Sequence, residues 1–308
     1  MNPKFLSPIL LLILKRAPLK AILSAALMFT LGVGIADYLG MSTRWNLIWG
    51  GLSLCLLLLL ASAYLCAYFD LLENAPHSQP FRKAWVESNQ QSENQLRPAI
   101  LLQIALVSLA GAATLVLLLV LRESSNHTAQ IFISLIFILL FFQAVPPLRL
   151  AYSGYGELLE AIVLANLIPA LAFSLQAGDL HRLVAMTSFP LTFLYLALLL
   201  AFSLPHYSDD VKFQRQSLMS RLEWQRGMNL HNILILLAYV MLGLAAALGL
   251  PWALTWPGLL TLPVGLFQIW QITQIAGGRR PNWRLLAITA ISTFALTGYM
   301  LTYALWTG

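Results

Sequence analysis

The chain has 308 residues, of which 59% are hydrophobic and 10% charged, and its mean hydropathy is +0.76. Soluble domains carry roughly 25% charged residues, so a chain this poor in charge cannot clothe itself against water, and lipid must be its main solvent. The same composition excludes disorder, and the net charge of +6 is spread over loops in a way that excludes nucleic acid as a partner.

A helical crossing needs about 20 apolar residues. Such runs occur at 19–40, 46–69, 98–121, 129–146, 158–175, 183–204, 231–250, 255–275 and 284–306. Runs this long exclude a transmembrane barrel, whose strands alternate over about ten residues. The expected fold is all-α: a polytopic membrane protein of about nine transmembrane helices, one domain over 1–308. Ahead of the first run, residues 1–18 read as a cytoplasmic or interfacial segment. Its apolar stretch Pro8–Leu14 is too short to span and is flanked by Lys4, Lys15 and Arg16. Cys55 and Cys66 fall on one predicted helix, about 16 Å apart, too far for a disulfide. His77, His127 and His231 read as solvated loop residues. Trp45, Trp252, Trp256 and Trp306 read as interfacial belts.

The basic residues set the orientation. With the N-terminus on side one, fifteen Lys and Arg fall on that side and three, Arg44, Arg122 and Arg182, on the other. The positive-inside rule then predicts a cytoplasmic N-terminus and a C-terminus outside, in a bacterial inner or cell membrane. Two cytoplasmic loops are long, 70–97 and 205–230. Each starts with an acidic cluster where a helix leaves the membrane. Asp70, Glu73 and Asn74 share a helical face in the first, and His206, Asp209 and Asp210 share one in the second. Two such faces turned together would offer oxygen ligands to a hard cation such as Mg2+. Arg149, Lys212 and Arg215 would clamp a phosphate beside it. Solvated helix ends are the competing reading of both clusters.

Several segments resemble the UbiA superfamily of intramembrane prenyltransferases, and most closely its dihydroxynaphthoate branch. They are Arg16-Ala-Pro18, Ala67-Tyr68-Phe69-Asp70, the run Pro146-Pro147-Leu148-Arg149-Leu150-Ala-Tyr152-Ser-Gly154-Tyr155-Gly156-Glu157, and Leu204-Pro205-His206-Tyr207-Ser-Asp209-Asp210 followed by Arg215-Gln216-Ser217-Leu218 and Arg221-Leu222. The resemblance implies helices around a central cavity, opening to the cytoplasm. It implies an isoprenyl diphosphate held through Mg2+ at the mouth and an aromatic acceptor within, in quinone biosynthesis. Asp70 and Asp210 would be catalytic. Asp70, Glu73, Asn74, His206, Asp209 and Asp210 would be metal ligands, Arg149, Lys212 and Arg215 would bind diphosphate, and Tyr152, Tyr155 and Glu157 would bind substrate. The family pattern has five Asp in these motifs, and three of those positions hold Ala67, Asn74 and His206 here. Two functions therefore stay open. One is a prenyltransferase. The other is a non-catalytic isoprenoid- or quinone-binding protein, or an accessory subunit of a membrane complex.

Overall fold

The computed structural model describes residues 17–73, 76–90, 97–121 and 126–308, so the N-terminal segment 1–16 and Asn74 lie outside it. Among the described residues, nine helices are long and apolar enough to cross a membrane. They are α1 (Leu19–Tyr38), α2 (Trp45–Leu72), α4 (Ala99–Leu121), α5 (His127–Ala144), α6 (Gly156–Ala177), α7 (Arg182–Lys212), α9 (Trp224–Ala247), α10 (Trp252–Ala276) and α11 (Trp283–Thr307). Two shorter helices, α3 (Gln79–Gln90) and α8 (Leu218–Leu222), lie in the two long loops. The helix ends fall within a few residues of the apolar runs, apart from α9, which begins seven residues earlier, and α7, which ends eight residues later.

Local chemistry explains where the spans stop. Asn126 caps α5 by accepting from Ala129 N at 2.8 Å, and Asn282 caps α11 by accepting from Leu285 N at 3.1 Å. Gly178, with φ +95, closes α6 in a conformation that a side chain would strain. At the same end, Arg44 lays its guanidinium on the last carbonyls of α6, 3.1 Å from Leu175 O, where the helix dipole favours a cation.

The bundle has a centre and a periphery. In α6 and α7, 78% and 72% of the spanning residues are buried, against 22% in α4 and 28% in α5 and α10. The outer helices meet lipid on most of their surface. Close approach of α1 to α6 depends on Gly32, because a Cβ there would fall 2.2 Å from Pro169 O. Pro169 also removes a hydrogen-bond donor, and α6 widens just before it into a π turn over Val163–Leu167. Among the described residues the main apolar core runs from α1 to α11, and a smaller one gathers Tyr64, Trp85 and Leu101.

His231 corrects the sequence reading. It is fully buried on α9, where its Nε2 accepts from Gln268 Nε2 at 2.8 Å, so a neutral imidazole is satisfied without water.

Candidate functional site: an arginine held between two carboxylates

The turns after α2, α5 and α7 meet at one end of the bundle. Residues 146–157 wrap tightly there. Arg149 takes a left-handed conformation, φ +40, that few side chains adopt, and a short 3-10 turn carries the chain through Tyr152. Gly154, at φ +80, and Gly156 complete the turn, since a Cβ on Gly156 would lie 2.9 Å from Ala151 Cα. The turn directs Arg149 and Tyr152 back onto the last turn of α2.

Asp70 waits there, 1% exposed, and Arg149 is 7% exposed. Arg149 Nη2 donates to Asp70 Oδ1 at 2.5 Å, and its Nη1 donates to Glu73 Oε2. The guanidinium thus bridges two carboxylates one helical turn apart. The Tyr152 hydroxyl lies within hydrogen-bonding distance of both Asp70 oxygens, at 2.8 and 2.9 Å. Burying such a charge is tolerable because it is paired and hydrogen-bonded. Arg149 Nε is buried without a hydrogen-bond partner.

Tyr152 is the platform of the site. His77 stacks on its ring with centroids 4.2 Å apart, and Arg149 and Arg215 lie over it at 4.8 and 5.5 Å. Burial and the adjacent Arg149 charge hold the His77 imidazole below its ordinary pKa. His77 was read as solvated; it packs here because the chain turns back at Pro76–Ser78 after α2.

The second acidic cluster comes apart. A 3-10 turn at Leu204–His206 precedes the final helical turns of α7, Tyr207–Lys212. Asp210 turns inward and is buried, whereas His206 and Asp209 are exposed. Lys212 is exposed, with its ammonium 5.4 Å from its neighbour Phe213, outside the contacts around Tyr152. Glu157 lies within electrostatic reach of Arg215 and Asp210, and its Oε2 accepts from Leu218 N at 3.2 Å. Tyr155 is exposed beneath Arg221, which donates to Ser153 O at 3.0 Å and ties the two loops together. Of the expected residues that are described, Asp70, Glu73, Arg149, Tyr152 and Arg215 gather around one ring, Glu157 lies within electrostatic reach of Arg215 and Asp210, and Tyr155, His206, Asp209 and Lys212 stand apart.

A cavity of about 180 Å3 opens beneath this cluster, lined by Cys66, Ala151, Ser62, Gln143 and Glu160 among others. Cys66 joins the two, since its carbonyl accepts from Arg149 Nη2 at 3.4 Å and its side chain lines the cavity. Ser62 and Leu140 are shared with a constriction of about 10 Å3, which in turn shares Leu58, Leu109 and Phe137 with an apolar groove of about 600 Å3 between α2, α4 and α5. Sequence reading passed over Glu160, because a polar residue near the start of a span looks like a boundary.

Mg2+ demands several oxygen ligands in near-octahedral geometry. Among the described residues, no group of three His, Cys, Asp or Glu side chains is placed to hold a metal ion. Arg149 already supplies the cation between Asp70 and Glu73. The described residues do not fit a protein-held Mg2+.

No family model matches the chain, and no curated protein does. Among solved structures, a UbiA homolog from Archaeoglobus fulgidus bound to GPP and Mg2+ is similar, with a TM-score of 0.62 and 11% identity, over 93% of this chain and 98% of that one. This likeness establishes a UbiA-like fold for the chain.

Proposed function

We propose that the protein is a UbiA-superfamily prenyltransferase homologue. It holds the diphosphate of an isoprenyl diphosphate at the Arg149 mouth and passes the isoprenyl group to an aromatic ring in the cavity below. The observation that carries this reading is the continuity of the Arg149 mouth with that cavity through Cys66. The fold supports it too, since the similar homolog was solved with GPP and Mg2+.

The chain's own residues have definable tasks. Arg149 exchanges Glu73, whose side chain is 35% exposed, for a phosphate oxygen and donates its unpartnered Nε to another. Asp70 and Tyr152 keep the guanidinium aimed. Arg215 adds a second charge over the Tyr152 ring, with Lys212 at the rim. As the allylic C–O bond breaks, the electron pair stays on the diphosphate, where these cations neutralise it. A carbon of the aromatic ring forms the new C–C bond, and the ring proton leaves with diphosphate. Apolar cavity walls keep water from the allylic cation. The isoprenoid tail runs past Leu58 and Phe137 into the lipid-facing groove. The mouth faces the cytoplasm, on the fifteen-to-three charge asymmetry.

A second reading has its own support. Arg149 closes the space between Asp70 and Glu73. A protein built that way binds an isoprenoid lipid or quinone without turning it over, as a binding or accessory subunit. Purified protein in nanodiscs separates the readings. A prenyl diphosphate is expected to bind equally well with Mg2+ and with EDTA, and to lose binding in Arg149→Gln. Radiolabelled prenyl diphosphate with a panel of hydroxylated aromatics is expected to yield a prenylated product. Binding that EDTA abolishes would overturn the arginine-based site. Intact binding with no product from any acceptor would leave the second reading.

A further inference from the structure

Glu160 stands one turn inside α6, and diphosphate binding gives it no task. Its carboxylate lines the cavity beneath Arg149. Oε1 accepts the Tyr195 hydroxyl at 2.9 Å. Tyr195 is 1% exposed and fixed edge-on against Phe294, with ring centroids 4.9 Å apart. No described residue donates a hydrogen bond to Oε2. Lys20 acts on Glu160 only from a distance, because its ammonium is seated 3.7 Å over the Phe202 ring.

A carboxylate among Val163, Leu164 and Leu140 is costly to keep in a membrane span, and a leucine would line the wall more cheaply. Glu160 lines a cavity of about 180 Å3 with one oxygen left open to a ligand. An apolar cavity of roughly 150 Å3 takes up benzene, so this one has room for an aromatic ring system. The ring's hydroxyl would complete the carboxylate's hydrogen bonding. A negatively charged ring substituent would meet like charge in a low-dielectric wall.

We infer that this cavity binds a neutral hydroxylated aromatic, a phenol or hydroquinone, whose hydroxyl donates to Glu160, and that it turns away aromatic carboxylates. The inference rests on the reading above in making this ring the acceptor of the isoprenyl group. Tyr195 satisfies the carboxylate's other oxygen, Oε1, and takes no part in holding the ring.

Binding of 1-naphthol and of 1-hydroxy-2-naphthoate to the purified protein in nanodiscs, without prenyl diphosphate, tests it. Wild type is expected to prefer naphthol by roughly tenfold or more, the effect of one charge-assisted hydrogen bond. Glu160→Gln is expected to weaken naphthol binding by a similar factor and to erase the preference. Tyr195→Phe keeps the carboxylate and is expected to keep the preference, which holds the test open if Glu160→Gln does not fold. Wild type binding the naphthoate as tightly as naphthol overturns the inference, as does an unchanged preference in Glu160→Gln or a lost one in Tyr195→Phe. Prenyl diphosphate binding is measured on the same samples. The expected naphthol order in a wild type that ignores prenyl diphosphate supports the pocket and overturns the transfer reading.

Discussion

Two of the polar clusters among the described residues are built in opposite ways. The mouth is ionic: Asp70 of α2 and Glu73 just after it converge on Arg149, above Tyr152. Between α9, α10 and α11 runs a ladder without a formal charge. His231 meets Gln268, Gln268 accepts from Thr293, Gln271 accepts from Thr289, and Tyr239, Thr261 and Thr297 form a chain of hydroxyls. The ladder is buried in protein, and Thr289, Thr293 and Thr297 also reach carbonyls on their own helix. An ionic cluster at a membrane boundary exchanges a partner for a ligand, because water and anions reach its rim. A neutral ladder inside hydrocarbon holds helices together and has nothing to exchange.

The largest expected effect breaks the ionic side. Arg149→Met takes the guanidinium partner away from the buried Asp70 carboxylate. Removing one partner of a buried ion pair costs about 3–5 kcal/mol. Denaturant unfolding in detergent micelles is expected to show a loss of that size. Adding Asp70→Asn to Arg149→Met removes the carboxylate's charge as well and is expected to recover much of it. A single variant as stable as wild type would mean that Asp70 reaches water.

A smaller effect sharpens the neutral side. Thr293→Val removes the donor to Gln268 while keeping the shape. Interhelical hydrogen bonds of this kind average about 0.6 kcal/mol and reach about 1.7. The variant is expected to lose no more than that, with prenyl diphosphate binding unchanged. A loss comparable to Arg149→Met would make the ladder more than glue.

The two clusters also differ in how far the sequence foretold them. Nine apolar runs were legible because a bilayer fixes the length of a crossing and the cost of a charge within it. The run carrying Arg149 and Tyr152 stood out through its family resemblance, but the tight turn that Gly154 and Gly156 make there did not. Nor did the pairing of its arginine: Arg149 and Asp70 are 79 residues apart, and only packing of the loops tells whether the arginine meets a phosphate or a carboxylate. His206 and Asp209 were expected to share a face with Asp210, but Asp210 turns inward while Asp209 and His206, the last residue of the 3-10 turn, face outward. The ladder was silent, because Thr and Gln barely disturb hydropathy, and a histidine at a span's edge looks the same buried or solvated.

The smallest expected effect lies in pH and separates the clusters once more, since His77 of the mouth is outside the spans. Burial, then the charge of Arg149 with a smaller push from Arg215, lowers its pKa below the ordinary 6.5, against the pull of Asp70 and Glu73. The folded protein therefore keeps His77 neutral, stacked on Tyr152, at a pH where the unfolded chain has begun to protonate it. Between those two values the unfolded state binds more protons, so stability falls as pH drops below 6.5 and is fully present above it. His77→Phe keeps the stack and cannot titrate. Its stability is expected to fall less than that of wild type as pH drops from 7 to 5. Anion affinity should run the other way. A proton on His77 adds positive charge beside Arg149 Nη1, 3.4 Å from its Nε2, so prenyl diphosphate should bind wild type more tightly as pH falls, and His77→Phe should show a flatter profile. Matching pH profiles for both proteins, in stability and in binding, would show that His77 is not the group that titrates at the mouth.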